Sequence, residues 1–205
     1  MLEIENYSVT FKKEMFLSAD NLALESGRKF NLLGRNGSGK SIFLKSIHGT
    51  FTAYKGSIKI KERTPLFYKK RKKTIFIESI PRILPEETVW RNITLPFHKI
   101  TIRQKQKITD LCNNVGLSEL IGLKAKLISF SAAKFIELIR AAVQLPHILL
   151  LDDMDTYFDE INLVKALDVC EYALNNGATI IATSTAKLEN FDYYYRIVEK
   201  KMVKL

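Results

Sequence analysis

The chain is poor in cysteine: of 205 residues only Cys112 and Cys170 are cysteines, and they lie in separate segments. No C-x-x-C pair and no Cys/His metal spacing occurs. That excludes a disulfide-stapled fold and a zinc knuckle, and it favours a reducing compartment. Histidine is equally scarce, and His48, His98 and His147 stand apart from one another, so they read as structural. Long apolar runs are missing. None approaches the roughly 18–20 residues that cross a bilayer. The opening MLEIENYSVTF alternates at about period two, which predicts a strand and not a signal peptide. Acids are in the minority, 22 against 32 Lys and Arg, leaving a formal net charge of +10. Such an excess suits a nucleotide, a nucleic acid or the inner face of a membrane, or serves solubility alone. Apolar residues make up 46% of the chain. That is enough for a core and argues against disorder. The length allows one sizeable α/β domain, or one domain with an inserted subdomain.

What is present is concentrated chemistry. Gly34-Arg35-Asn36-Gly37-Ser38-Gly39-Lys40-Ser41 fits G-x-x-x-x-G-K-[ST]. Glycines at these places let backbone N–H groups turn inward around phosphate oxygens. Lys40 supplies a positive charge to the β and γ phosphates, and Ser41 offers a hydroxyl to Mg²⁺. KFNLL before the loop predicts a buried strand. KSIFLKSIHG after it, through Ile42, predicts a helix stopped by Gly49. A helix starting there aims its positive dipole end at the phosphates. Far downstream, HILLLDD (147–153) is an apolar run ending in two aspartates. It reads as a buried parallel strand whose terminal Asp152 holds Mg²⁺ through water.

The remainder supports a sheet with crossover helices. DEINLVKALDVCEYALNNG (159–177) predicts a helix capped by Asp159 and stopped by Gly177, with Ile161, Val164, Leu167 and Leu174 along one face. ATIIATS (178–184) predicts another buried strand, and YRIVEKKMVKL (195–205) a closing hairpin. Phe135, Leu138, Ile139, Ala142 and Val143 mark a core-facing helical stripe, capped by Ser129 or Ser131.

In order and spacing the chain resembles the nucleotide-binding subunits of ATP-binding cassette (ABC) transporters, over almost its whole length. LEIENYSVTF is similar to the family's first strand, with Phe11 at the aromatic position that stacks on adenine. IFIESIPRILPEETVWRNITLPF (75–97) resembles the Q-loop and the start of the helical subdomain. LISFSAAKFIELIRAAVQLPHILLLDD (127–153) has the length from signature motif to Walker B. DTYFD (155–159) resembles the D-loop, and TIIATST (179–185) the strand before the switch histidine. The resemblance implies an α/β fold. Its parts are a P-loop NTPase core with a parallel sheet, an N-terminal antiparallel β subdomain, and a helical subdomain inserted at roughly 79–135 of a single ATP-binding domain, 1–205. It also implies ATP and Mg²⁺ as cofactors, Asp153 as the available general base, and a cytoplasmic position on the inner face of the membrane. The partners it implies are a separate membrane subunit and a second cassette.

Several family positions are changed. The Q-loop glutamine is Ser79, with Glu78 before it. The Leu-Ser-Gly-Gly-Gln signature is Ile128-Ser129-Phe130-Ser131-Ala132. The catalytic glutamate is Asp153, one methylene shorter, and a base must come within about 2.6–3.2 Å of its water. The switch histidine is Ser184. ATP-holding parts are therefore kept and ATP-cleaving parts altered, which predicts slow hydrolysis or a regulatory cassette that mainly binds. Trp90, Ile93, Leu95, Pro96 and Phe97 cluster where the family receives its membrane subunit, or else form subdomain core. YKKRKK (68–73) and HKITIRQKQK (98–107) are basic. They read as solvated loops or as contacts to anionic lipid. No aromatic interleaving typical of base stacking accompanies them, so no nucleic acid is expected.

Overall fold

In the computed structural model, residues 1–156 and 158–205 are described, and Tyr157 of the DTYFD segment lies outside the described residues. The chain opens with β1 (Leu2–Phe11), β2 (Glu14–Ala19) and β3 (Leu22–Leu24). β1 pairs antiparallel with β2 through Tyr7–Phe11, with β3 through Leu2–Ile4, and with β5 (Lys55–Ile60). The two-residue alternation of β1 slips once. Leu2 and Ile4 are buried, and then Tyr7 and Val9. The slip falls at Asn6, φ 49, with a register shift against β5 between Glu5 and Ser8. A bulge of this kind moves a strand's apolar set back onto the core face. Opposite it stands Gly56, where a Cβ would meet Glu5 O at 2.3 Å, so the bulge requires glycine there.

Five strands run parallel: β4 (Lys29–Leu33), β6 (Thr74–Ile77), β7 (Ile148–Leu151), β8 (Thr179–Ser184) and β9 (Tyr193–Val198), in the order β9-β4-β8-β7-β6. The expected closing hairpin is formed by β9 with β10 (Lys201–Lys204). β10 also touches β2 through Lys201 and Ser18, joining the antiparallel strands to the parallel ones in a ten-stranded sheet. β7 and β8 are buried at every position, as continuous apolar runs in a sheet covered on both faces must be.

The helices are α1 (Lys40–His48), α2 (Pro65–Lys70), α3 (Val89–Thr94), α4 (Ile102–Val115), α5 (Phe130–Ala142) and α6 (Glu160–Asn175). α1 ends at Gly49 (φ 78), which caps Lys45 and Ser46 carbonyls. Asp159 caps α6 by accepting Asn162 N–H at 2.7 Å. Ser129 caps α5, so Ser131 is the unused alternative. The α5 stripe is buried as expected. Of the expected α6 face, Leu167 and Leu174 pack on the core, while Ile161 and Val164 do not. Ile161 and Val164 are 72% and 61% exposed, whereas Ala166, Val169, Cys170 and Ala173 are fully buried. Small residues let α6 sit closely on its neighbours, and that selects the small-residue face over the bulkier one. In the Trp90–Phe97 cluster Ile93 is fully buried, Trp90 and Phe97 pack on the core, and Leu95 is exposed. Most of that cluster is therefore core.

Candidate functional site

The phosphate-loop sequence joins the end of β4 to α1. Gly39 has φ 104, and a Cβ there would lie 3.1 Å from both Leu17 and Phe16. A Cβ on Gly34 would lie 2.5 Å from Ser38 Oγ. The loop is therefore a backbone cradle that only glycine leaves open. Lys40 is 4% exposed. Its ammonium donates to Gly34 O at 2.8 Å and Arg35 O at 3.4 Å. Its Nζ also lies 3.2 Å from Asp153 Oδ1, an ion pair without hydrogen-bond alignment.

Two adjoining clefts surround the cradle. One, of about 210 Å³, is lined by Asn36, Gly37, Ser38, Gly39, Lys40, Ser41 and Ile42 together with Asp153 and Phe16. The other, of about 600 Å³, meets Gly34, Arg35, Gly37, Ser38 and Phe16 and extends to Thr185, Arg196 and Lys200. Every loop residue expected from the sequence therefore borders one of the two clefts. Phe11 is 45% exposed and stands edge-on to Phe16, with centroids 5.1 Å apart. Phe16, which the sequence reading missed, is the ring that lines both clefts. Its signal was the proximity of its strand to Phe11 across the β1–β2 turn.

Asp152 is buried, and its amide donates to Ile77 O at 3.0 Å. Thr183 Oγ1 donates to Asp152 Oδ1 and accepts Asp153 N–H, both at 2.9 Å. Burial raises the Asp152 pKa. Hydrogen bonds from Ser41 and Thr183 and the charge of Lys40 oppose that, while Asp153 adds to it. Ser41 and Asp152, the two residues expected at the metal, are thus near enough for the hydroxyl to act on the carboxylate. Asp153 holds a left-handed backbone, φ 46, which turns its carboxylate toward Lys40.

The altered positions are also placed. Ser184 is fully buried, accepts from Asn31 Nδ2 at 2.8 Å and donates to Ala186 O at 2.6 Å. Its hydroxyl is thereby engaged away from the phosphate loop. Asp155 Oδ2 accepts from Thr185 N–H, Thr185 Oγ1 and Ala186 N–H at 2.8, 2.7 and 3.0 Å. Glu78, one residue ahead of Ser79, follows β6 directly. Its carboxylate meets Arg82 and, at 3.8 Å, Lys45 of α1. At the signature segment Phe130 is 48% exposed, and the Ala132 amide is taken by Ser129 Oγ at 3.2 Å.

Behind these loops lies a buried cluster with no sequence signal beyond polar letters in an apolar stripe. Glu137, 5% exposed, accepts Arg82 N–H at 2.8 Å and pairs with Lys134 and Arg140. Lys134 in turn donates to Glu78 O, and Arg140 to Arg82 O at 2.7 Å. Burial lowers the Lys134 pKa, against Glu137, Asp152 and Glu78. Residues 78–82 are thus tied to α5.

The ABC transporter family model matches residues 17–156. The chain belongs to the ABC transporter family. The ABC transporter ATP-binding protein YybJ of Bacillus subtilis is 29% identical over 188 residues, covering 91% of this chain and 86% of YybJ. The lantibiotic transport ATP-binding protein SrtF of Streptococcus pyogenes is 25% identical, covering 90% and 80% of the two chains. An ATP-binding subunit of an ABC transporter superposes with TM-score 0.85 at 17% identity, over 100% of this chain and 90% of the other. An ABC transporter ATP-binding protein of Pyrococcus furiosus does so with TM-score 0.82 at 24% identity, over 95% and 96%. These likenesses show the ABC ATPase fold, a P-loop NTPase core with N-terminal antiparallel strands and helical insertions. Among the described residues no helix is long and apolar enough to cross a membrane.

The residues of this ABC ATPase fit a magnesium nucleotide. The cradle is one that Cβ atoms would fill, and Ser38 Oγ is buried in it without a partner. A hydroxyl and a carboxylate, Ser41 and Asp152, form an all-oxygen donor pair of the kind hard cations take.

Proposed function

We propose that this chain binds Mg-ATP at Gly34–Ile42, hydrolyses it slowly, and uses the resulting closure to drive transport through a separate membrane subunit. A bound nucleotide supplies the cleavable phosphoanhydride and Mg²⁺ the charge neutralisation. Lys40 and the loop amides hold the phosphates, Ser41 and Asp152 orient the metal, and Asp153 is the base. Phe16, with Phe11 behind it, offers an apolar wall to the adenine. The observation carrying the reading is the convergence of the loop, Lys40, Ser41 and Asp153 around one cleft, with the buried Asp152 influenced by Ser41, Lys40 and Asp153 just behind it.

In this reading residues 79–135 act as a helical subdomain within one ATP-binding domain. The membrane subunit seats along 80–97, where Ile80, Leu84 and Leu95 are 68%, 45% and 41% exposed, and holds the chain at the cytoplasmic face. A second cassette, a copy or a relative, faces the phosphate loop.

A second reading is favoured by specific geometry. Ser184 is locked to Asn31, Phe130 occupies a signature position, and Lys40 already pairs with Asp153. A cassette built this way binds ATP and tunes its complex without appreciable turnover. Nucleotide binding and steady-state ATPase, each with and without the membrane subunit, separate the two, with Lys40→Ala as control. Magnesium-dependent binding lost in Lys40→Ala supports both. Turnover that stays at background with the membrane subunit present leaves only the second.

A further inference from the structure

The basic run at 69–73 has no part in the proposed nucleotide site, and the fold gathers more charge around it than the run alone contains. Lys61 and Arg63 lie in the turn after β5, Lys69 and Lys70 end α2, and Arg71 to Lys73 follow it. Burial and then the charges of Lys61 and Lys73 hold His147 below its ordinary pKa. The Arg63 and Arg71 guanidinium carbons lie 5.6 and 3.6 Å from the centre of the Phe67 ring. Stacking on an aromatic face fixes a guanidinium while leaving its N–H edge able to fork onto a phosphate. Among the described residues no ion pair joins any of these cations to an acid. Glu62 is the sole carboxylate between 61 and 73.

The patch sits at the N-terminal ends of the parallel strands, where His147 N–H donates to Lys73 O at 2.7 Å. The phosphate loop follows the C-terminal end of β4, so a ligand on the patch does not compete for the nucleotide cleft. Arg71 covers a face of the Phe67 ring and Tyr68 is only 7% exposed, which denies a nucleic acid the open rings that bases stack on. Leu66, beside them, is 47% exposed, an apolar side chain that a headgroup layer accepts. The patch and the segment 80–97 flank β6, a strand of 4 residues, about 13 Å long.

We propose that Lys61, Arg63 and Lys69–Lys73, organised around Phe67, form a binding surface for anionic phospholipid headgroups, a membrane contact made by this chain itself. It goes beyond the nucleotide reading and does not depend on it. The test is sedimentation of the full chain with vesicles of phosphatidylcholine alone or mixed with phosphatidylglycerol. Arg63→Gln/Arg71→Gln is compared with Arg103→Gln/Lys105→Gln, exposed residues of α4. Binding is expected only to the mixed vesicles. It falls about 25-fold in the patch variant, about fivefold per cation, and is unchanged in the α4 variant. Mg-ATP binding is unaltered in both. The proposal is overturned by absence of vesicle binding, by equal binding to neutral vesicles, or by an equal fall in both variants. Tighter patch-dependent binding of single-stranded RNA than of vesicles also overturns it.

Discussion

Thr183 and Asp152 are joined by a buried hydrogen bond of 2.9 Å, and the same threonine oxygen accepts the amide of Asp153. One hydroxyl on β8 therefore orients both carboxyl residues that follow β7. Thr183→Val keeps the shape and removes the donor and the acceptor together. It leaves a buried carboxylate oxygen and an amide short of a partner, each costing about 1–3 kcal/mol. Urea unfolding should show a loss of about 2 kcal/mol or more, and magnesium-dependent nucleotide affinity should fall. Thr183→Ser should restore both.

Ser184→His is the obvious attempt to reinstate a switch histidine, and the structure predicts that it fails. Ser184 is fully buried against Asn31 and Ala186. An imidazole there overpacks the site at about 1–3 kcal/mol and displaces the Asn31 bond. The variant should melt earlier, with no gain in ATPase.

The phosphate loop, its flanking strand and helix, and the Walker B strand were legible because their signals are local. Glycines, a lysine and an apolar run specify them without reference to the rest of the chain. The direction of Ser184 was not legible. It depends on Asn31, more than a hundred residues away, whose buried amide claims it. The buried face of α6 was partly misread for a related reason. Ile161 and Val164 outweigh Ala166 and Ala173 in hydrophobicity, yet close packing decides which face turns inward. The cluster around Glu137 is a tertiary event, since Lys134 and Arg140 reach backbone carbonyls of a loop far behind them.

That cluster makes a contrast between single and concerted replacement. Glu137→Ala strands Lys134 and Arg140 in the interior, and removing one partner of a buried pair costs about 3–5 kcal/mol. Lys134→Met/Glu137→Leu removes the buried lysine together with its acid and leaves only Arg140, which keeps its bond to Arg82 O, without a carboxylate. The double variant should be more stable than the single one in urea titration, with residues 78–84 exchanging amide hydrogens faster than in the native chain.

His48 gives the fold a defined acid sensitivity. Burial and then the charge of Lys69 push its pKa down from 6.5 to about 4, with Glu78 opposing. The unfolded chain protonates His48 below about 6.5 while the folded chain resists until about 4. Stability present above that window is lost as pH falls through it, by at most about 1.4 kcal/mol per pH unit. His48→Gln should flatten that part of the stability profile, measured by thermal unfolding between the two values.

Asp153 separates reach from charge. Its carboxylate borders the cleft beside Lys40, but it is a methylene shorter than glutamate. A general base contributes about 10²–10⁴-fold, and much of that depends on closing the last ångström to water. Asp153→Glu should therefore raise turnover by about tenfold in the presence of the membrane subunit, with little change in nucleotide affinity. Asp153→Asn should remove residual turnover and keep binding, because Lys40 retains both loop carbonyls. If the glutamate variant stays at the native rate, reach is not limiting. The restriction then lies at Ser184 and the signature segment, where the chain lacks a group to hold the water and amides free to close the opposite side.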